Sequence, residues 1–384
     1  MIEGVATERR VVGQLDRRTT SDDINTWIPQ EIRPQGVLSP AEMPGGVRNS
    51  MGTLKSLSQR PVAAHVIGLL ALWACCWGVA YADHTACNQA AAALQILGSS
   101  GPLNAKGSAS TSYLLWRMSR PLVIVDLGPG SVANLVRADA KLTDLDMVLI
   151  SHIHPDHVSD LPGLLWDEDI LGRDRPLLVA GPTGDPGFPD IGSFLDRLFG
   201  ANGAFPFMHD VVDSHSKFHL DIKTIDATRR QPVPVARLGD LAVSAYPVPH
   251  GQAPSLAYRI DASAFSVVFA GDQSGTDSGF ATFAEAADLL VLHTALGPTA
   301  DRHPFAKVVG LPQTLGALAE AAHVKRVVLS HLMAVPSGDP RASDFSLSDL
   351  NGLVAAVRSV YHGEVSLASD LKCIELGRFS SKSR

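Results

Sequence analysis

The chain has 384 residues, 45% hydrophobic and 18% charged, enough apolar material for one large core or two small ones. Its 32 Lys and Arg stand against 39 Asp and Glu, a net charge of −7. That balance speaks against a general nucleic-acid binder, because neutralising phosphates takes a basic face; no solenoid period or coiled-coil heptad is visible either.

Residues 1–60 are rich in Arg, Pro, Gly and Ser and show no apolar periodicity. The stretch 61–82 changes character: Val62 to Trp73 is almost wholly apolar, Lys55 and Arg60 precede it, and Ala80-Tyr81-Ala82 follows as a small-x-small cleavage site. That order predicts a signal peptide over 51–82 and a periplasmic or secreted product cut after Ala82. A membrane anchor is the alternative, but His65 and Gly78 leave a short apolar core, so no stable span is expected after cleavage. Met51 stands where such a signal would begin, and residues 1–50 read as an extension ahead of it. Leu72-Trp73-Ala74-Cys75 is a loose lipobox, which places lipidation at Cys75 behind simple cleavage. Cys75 and Cys76 fall inside the signal, leaving Cys87 and Cys373 either as a disulfide joining the ends or as two buried thiols.

The mature domain, 88–378, opens with a strand at Leu94–Gly98 and a Gly/Ser/Pro loop over 99–110. Thr111–Trp116 and Leu122–Asp126 read as a strand pair, with Asp126 at the end as a supporting carboxylate rather than a ligand. A short helix (Val132–Ala138) leads to the apolar run Met147-Val148-Leu149-Ile150, a buried strand. It delivers Ser151-His152-Ile153-His154-Pro155-Asp156-His157. Pro155 breaks the ladder, so the motif sits on the loop at the strand's C-terminal end, where α/β proteins place their sites. Imidazole nitrogen and carboxylate oxygen are ligands that zinc prefers, and four of them in six positions exceed what a satisfied core needs.

Helices follow at Val158–Ile170 and Phe188–Phe199, with a strand at Leu177–Ala180 between them, then an apolar loop over 200–216. His209, His215 and His219 in this region carry no ligand spacing and read as surface histidines. Leu241–Val248 is a strand delivering His250. Strands at Ser255–Ile260 and Phe265–Ala270 end in Gly271-Asp272-Gln273, and a helix near Phe280–Ala287 precedes the strand Asp288–Leu292. A helix at Leu311–Ala322 and a strand at Lys325–Leu329 end in Ser330-His331. His152, His250, Asp272 and His331 thus each follow a short apolar strand, and strand ends on one rim can converge on one cleft.

On these residues the chain from Leu94 to Leu376 resembles the metallo-β-lactamase fold superfamily, in the branch of RNase Z and certain secreted arylsulfatases and phosphodiesterases. His-x-His-x-Asp-His at 152–157, Gly181-Pro182-Thr183-Gly184, His250 through Tyr258-Arg259-Ile260, Gly271-Asp272, and Arg326 through His331 carry the likeness. The resemblance implies an α/β (α+β) four-layer αββα sandwich and two divalent metal ions, most simply zinc. His152, His154 and His250 would hold one; Asp156, His157 and His331 the other, with Asp272 bridging. Asp156 would also orient a metal-bound hydroxide for attack on an ester.

Three departures from RNase Z stand out. Only two strands separate His250 from Asp272, which leaves no room for a long basic arm. Residues 309–314 lack a histidine, and His293-Thr294-Ala295 stands where relatives often carry Glu. With the acidic balance and the signal, these predict a small-molecule substrate, phosphodiester or aryl sulfate ahead of lactone or β-lactam, no nucleic acid, and no bar to a homodimer. His303 is the candidate proton donor to the leaving group, which a phenol would not need. A non-catalytic metal-holding protein is the reading from another class.

Overall fold

The computed structural model describes residues 87–103, 107–334 and 349–377. The extension, the signal segment and Cys75 lie outside them. Among the described residues no helix is long and apolar enough to cross a membrane.

Among the described residues, fourteen strands follow in chain order. They are β1 (Ala92–Gly98), β2 (Ser112–Arg117), β3 (Arg120–Val125), β4 (Met147–Leu149), β5 (Leu177–Pro182), β6 (Leu220–Ile225) and β7 (Val233–Leu238). Then come β8 (Leu241–Val248), β9 (Ser255–Asp261), β10 (Ser266–Phe269), β11 (Leu289–His293), β12 (Arg326–Ser330), β13 (Glu364–Leu367) and β14 (Cys373–Glu375). They form two seven-stranded sheets, ordered β14-β1-β2-β3-β4-β5-β6 and β13-β12-β11-β10-β9-β8-β7.

The apolar runs are continuous because both faces of each sheet are covered. Leu94 and Ile96, Tyr113 and Leu115, Val123 and Val125, and Met147 and Leu149 meet Val243, Leu256, Tyr258, Val267 and Phe269 of the second sheet. The intervening Ala93, Leu97, Leu114, Trp116, Ile124 and Val148 face the other way, onto α1 (Ser131–Arg137), α3 (Leu161–Ile170) and α4 (Ile191–Phe199). The second sheet's outer face packs on α5 (Gly279–Phe283), α6 (Pro312–Ala321) and α7 (Leu350–Arg358). Each fully buried Leu, Ile or Val contributes about 1.5–3 kcal/mol. This is the four-layer αββα sandwich.

Within the sheets, β3, β4 and β5 are parallel, as are β10, β11 and β12, and β8 runs with them because it is antiparallel to β9. Their C-terminal ends meet at one rim. There the amide of Leu256 in one sheet donates to the carbonyl of Ser151 in the other.

Some elements were not foreseen. β6 and β7 are sheet edges; β6 buries little except Leu220 and Ile225, and β7 contains Pro234, which an edge tolerates. The expected helix over 158–170 is broken at Ser159 and Asp160 into a single turn, α2 (Pro155–Val158), and α3.

Cys87 and Cys373 are joined by a disulfide that spans 286 residues, with Cα atoms 5.4 Å apart. Three residues earlier, Asp370 accepts the amide and hydroxyl of Ser99 (3.0 and 2.7 Å), the amide of Ala109 (2.6 Å) and Asn134 Nδ2 (3.0 Å). It therefore holds both ends of the 99–110 loop beside the rim. Replacing both cysteines by Ser is expected to lower unfolding free energy by about 2–4 kcal/mol in a urea titration, because the unfolded chain regains loop freedom.

Candidate metal centre

At the end of β3, Asp126 adopts a left-handed backbone (φ 59°) and turns its carboxylate under the motif. Its oxygens accept the amide (2.7 Å) and hydroxyl (2.8 Å) of Ser151 and His157 Nδ1–H (2.9 Å). The bond to Nδ1 points His157 Nε2 into the cleft. Pro155 at the first position of α2 suits its fixed φ, and His154 precedes it in extended backbone. Successive helical positions diverge by about 100°, so Asp156 and His157 leave this turn in different directions.

Two groups of donors result. His152, His154 and His250 form one; His157, Asp272, His293 and His331 form the other, the donor atoms within each lying within 4.8 Å of one another. Asp272 stands between them, with Oδ2 3.7 Å from His250 Nε2 and 3.3 Å from His331 Nε2, and Oδ1 3.7 Å from His157 Nε2. Asp156 Oδ2 lies 3.1 Å from His331 Nε2 and 3.4 Å from His157 Nε2. All seven residues read as ligands from sequence are brought together. His303 is not: its Nδ1 accepts the amide of Phe305, its ring stacks on that residue, and it does not line the cavity over the donors.

Gly271 makes the turn that carries Asp272 to this point; its φ is 62°, and an added Cβ would lie 2.6 Å from the carbonyl oxygen of Leu256. Gly101 fills a similar role from the loop held by Asp370. A Cβ there would sit 2.6 Å from the His331 ring.

The electrostatics suit cations. Burial, reinforced by neighbouring imidazoles, pushes His152 well down, and burial with His250 lowers His154, so both stay neutral and able to ligate. Burial alone would raise Asp156 and Asp272, but the surrounding histidines outweigh it and hold both as carboxylates. Burial works against a charged His157, yet Asp156, Asp126 and Asp272 raise it strongly, the mark of a negative field. Its Nε2 is buried without a hydrogen-bond partner while facing the carboxylates of Asp156 and Asp272. A divalent ion satisfies that nitrogen and those oxygens together, so the donor set fits the metals.

His293 is the residue the sequence reading passed over, noting it only as a substitution. Its Nδ1 lies 2.7 Å from Asp272 Oδ1 and its Nε2 3.0 Å from the hydroxyl of buried Tyr113, which in turn donates to Ser330 Oγ (2.9 Å). One signal was available: His293 ends an apolar strand between the two that deliver Asp272 and His331. Tyr113, mid-strand in an apolar run, offered none.

The family model of the metallo-beta-lactamase superfamily matches residues 105–296. Among curated relatives, Ribonuclease Z of Staphylococcus haemolyticus is 28% identical over 164 residues, covering 42% of this chain and 45% of the relative. Ribonuclease Z of Pseudomonas putida is 25% identical over 322 residues, 74% of this chain and 97% of the relative. Among solved structures, human tRNase Z, short form, superposes with a TM-score of 0.57 at 20% identity, covering 74% of this chain and 100% of that one. The metallo-beta-lactamase fold protein YhfI of Bacillus subtilis gives 0.56 at 22% identity, over 74% and 98%.

These relatives correct one expectation. Nucleic acid was excluded as a partner on acidic balance and a missing arm, yet the matched relatives are named as ribonucleases. Net charge is a property of the whole chain and does not measure the local field in a cleft.

The donor geometry makes its own prediction. His293→Ala or Gly101→Ala should weaken divalent-metal affinity about 10–100-fold, read by competition with a chromophoric chelator, because each supports a ligand without being one of the seven. Unchanged affinity in both would separate these residues from the metal centre. By family match, fold and donor set together, the chain belongs to the metallo-beta-lactamase superfamily.

Proposed function

We propose that the chain hydrolyses phosphodiester bonds with two divalent ions, zinc as the first candidate. The observation that carries this is Asp272, a buried carboxylate standing between two donor groups. His152, His154 and His250 would hold one ion, Asp156, His157 and His331 the other, with Asp272 shared. Bound there, the ions supply Lewis acidity and an ionised water near neutral pH. Asp156, which lines the cavity beside His157 and His331, would orient the attacking water. His293 fixes one oxygen of Asp272, so the other keeps its direction. His250 Nδ1–H donates to the carbonyl of Val308 (2.9 Å), which selects the tautomer presenting Nε2 to the cleft. The ribonuclease names of the relatives support phosphate over sulfate or carbonyl esters.

We also propose that residues 51–82 export the chain. The disulfide supports this, since such bonds persist in oxidising compartments. N-terminal sequencing of the mature protein is expected to begin at Asp83; an uncleaved chain retained in the cytoplasm would overturn export.

For the chemistry, metal analysis after dialysis against zinc is expected to find about two ions per chain. Turnover is expected on bis(p-nitrophenyl) phosphate in a panel that includes an aryl sulfate, a lactone, a β-lactam and a 3′-extended RNA. His154→Ala and Asp272→Ala should each lose more than the roughly 10–100-fold typical of disturbing a ligand's support. Turnover of lactone or β-lactam with silence on every phosphodiester would sink the phosphodiesterase reading.

A further inference from the structure

Helix α3 is apolar on two faces. Leu161, Leu164 and Leu165 point inward and are fully buried against the first sheet. Trp166 and Ile170, one helical turn apart, point the other way and are 42% and 65% exposed. A helix that is apolar all round belongs in an interior, because its outer face gains nothing from water. Leu171, directly after the helix, is 60% exposed and extends the apolar surface at that end.

The surface continues onto a second segment. Between α4 and β6, the short helical turns Pro206–Val211 bury Met208 and Val211 and turn Phe207 outward, 70% exposed. The Phe207 ring meets that of Trp166 edge to face, centroids 5.6 Å apart at 88°. Among the described residues eight large apolar side chains are exposed, and four of them make up this one patch. The patch is also held in place. Amides of Ala204 and Phe205 donate to the carbonyls of Arg197 and Leu198 at the end of α4 (3.0 and 2.6 Å). The end of α3 is pinned by a buried ion pair, Glu168 Oε2 to Arg173 Nη1 at 2.8 Å. Rigid rings lose little freedom on association, and tryptophan is enriched at the energetic centres of interfaces.

Size decides the occupant. At these exposures the four side chains present roughly 500 Å² of apolar surface, a patch large enough to mark an interaction site. A standard interface takes about 800 Å² from each partner, about 65% of it apolar in homodimers, which is again about 500 Å² per copy. A two-fold contact sets a patch against itself, and an apolar surface is complementary to its own copy. A lipid surface fits less well, because Asp167 and Asp169 lie on α3 between the two exposed residues in sequence and oppose anionic headgroups.

We propose that this patch is the face by which two copies of the chain associate about a two-fold axis, with Trp166 and Phe207 at its centre. Helix α3 of each copy is then covered on both faces, and Asp167 and Asp169 stay in water at the rim. The contact is independent of the reaction assigned to the cleft, since none of the four residues is a metal donor or lines the cavity over the donors.

Sedimentation velocity on the protein as purified, at micromolar concentrations, is expected to show a species of twice the chain mass. Phe207→Glu and Trp166→Glu each set like charges against one another across the axis and should weaken association at least about tenfold. Both positions are exposed, and an unchanged melting temperature checks that the fold is intact. Mixing Phe207→Glu with Phe207→Lys chains should restore a dimer that neither variant forms alone, a recovery that a folding defect does not give. A native chain that stays monomeric would overturn the proposal, whether lipid vesicles or another protein then take the patch. A dimer that persists unchanged in both glutamate variants would place the interface elsewhere and defeat it equally. No recovery in the mixture would rule out the two-fold contact at this patch.

Discussion

Everything at the rim depends on the carboxylate of Asp126. It is buried, sits on a left-handed backbone, and receives hydrogen bonds from the first and last residues of the seven-residue motif 151–157. Without it the loop would have to find other partners for the amide of Ser151 and Nδ1 of His157, both in the interior. Buried polar groups left unpaired cost about 1–3 kcal/mol each. Five imidazoles and two carboxylates can be packed into so small a space because a structural carboxylate that never reaches the cavity fixes the frame around them.

The architecture serves the same end. Each sheet brings strand ends to a single rim, and neither sheet alone carries a complete set of donors: the first supplies 152–157, the second His250, Asp272, His293 and His331. The centre is therefore assembled only when the core between the sheets closes. Assembly across two layers also explains why glycine recurs at the points of closest approach, since Gly101 meets a ring and Gly271 meets a carbonyl.

Much of this was legible in the chain. The strands that fill the sandwich are continuous apolar runs, and His152, His250, Asp272 and His331, which the fold brings together, stand directly after such runs. What was not legible follows from physics that leaves little trace in one dimension. β6 and β7 lie at sheet edges and bury few side chains, so their alternation is weak. His293 was seen but not placed, because a histidine closing a strand is ambiguous until its neighbours are known. The contact of Asp370 with Ser99, Ala109 and Asn134 joins residues some 240–270 positions apart and has no local signature. The exclusion of nucleic acid failed for a related reason: it applied a global charge to a local question.

One imidazole has a consequence beyond its place in the cleft. His250 presents Nε2 to Asp272 and holds the backbone at Val308 by Nδ1, so two parts of the rim share one rigid ring. Any change that shifts the ring on one side is felt on the other, and linkage of this kind is reciprocal. A displacement of the backbone at Val308 and a displacement of His250 Nε2 among the donors are thus coupled through one imidazole.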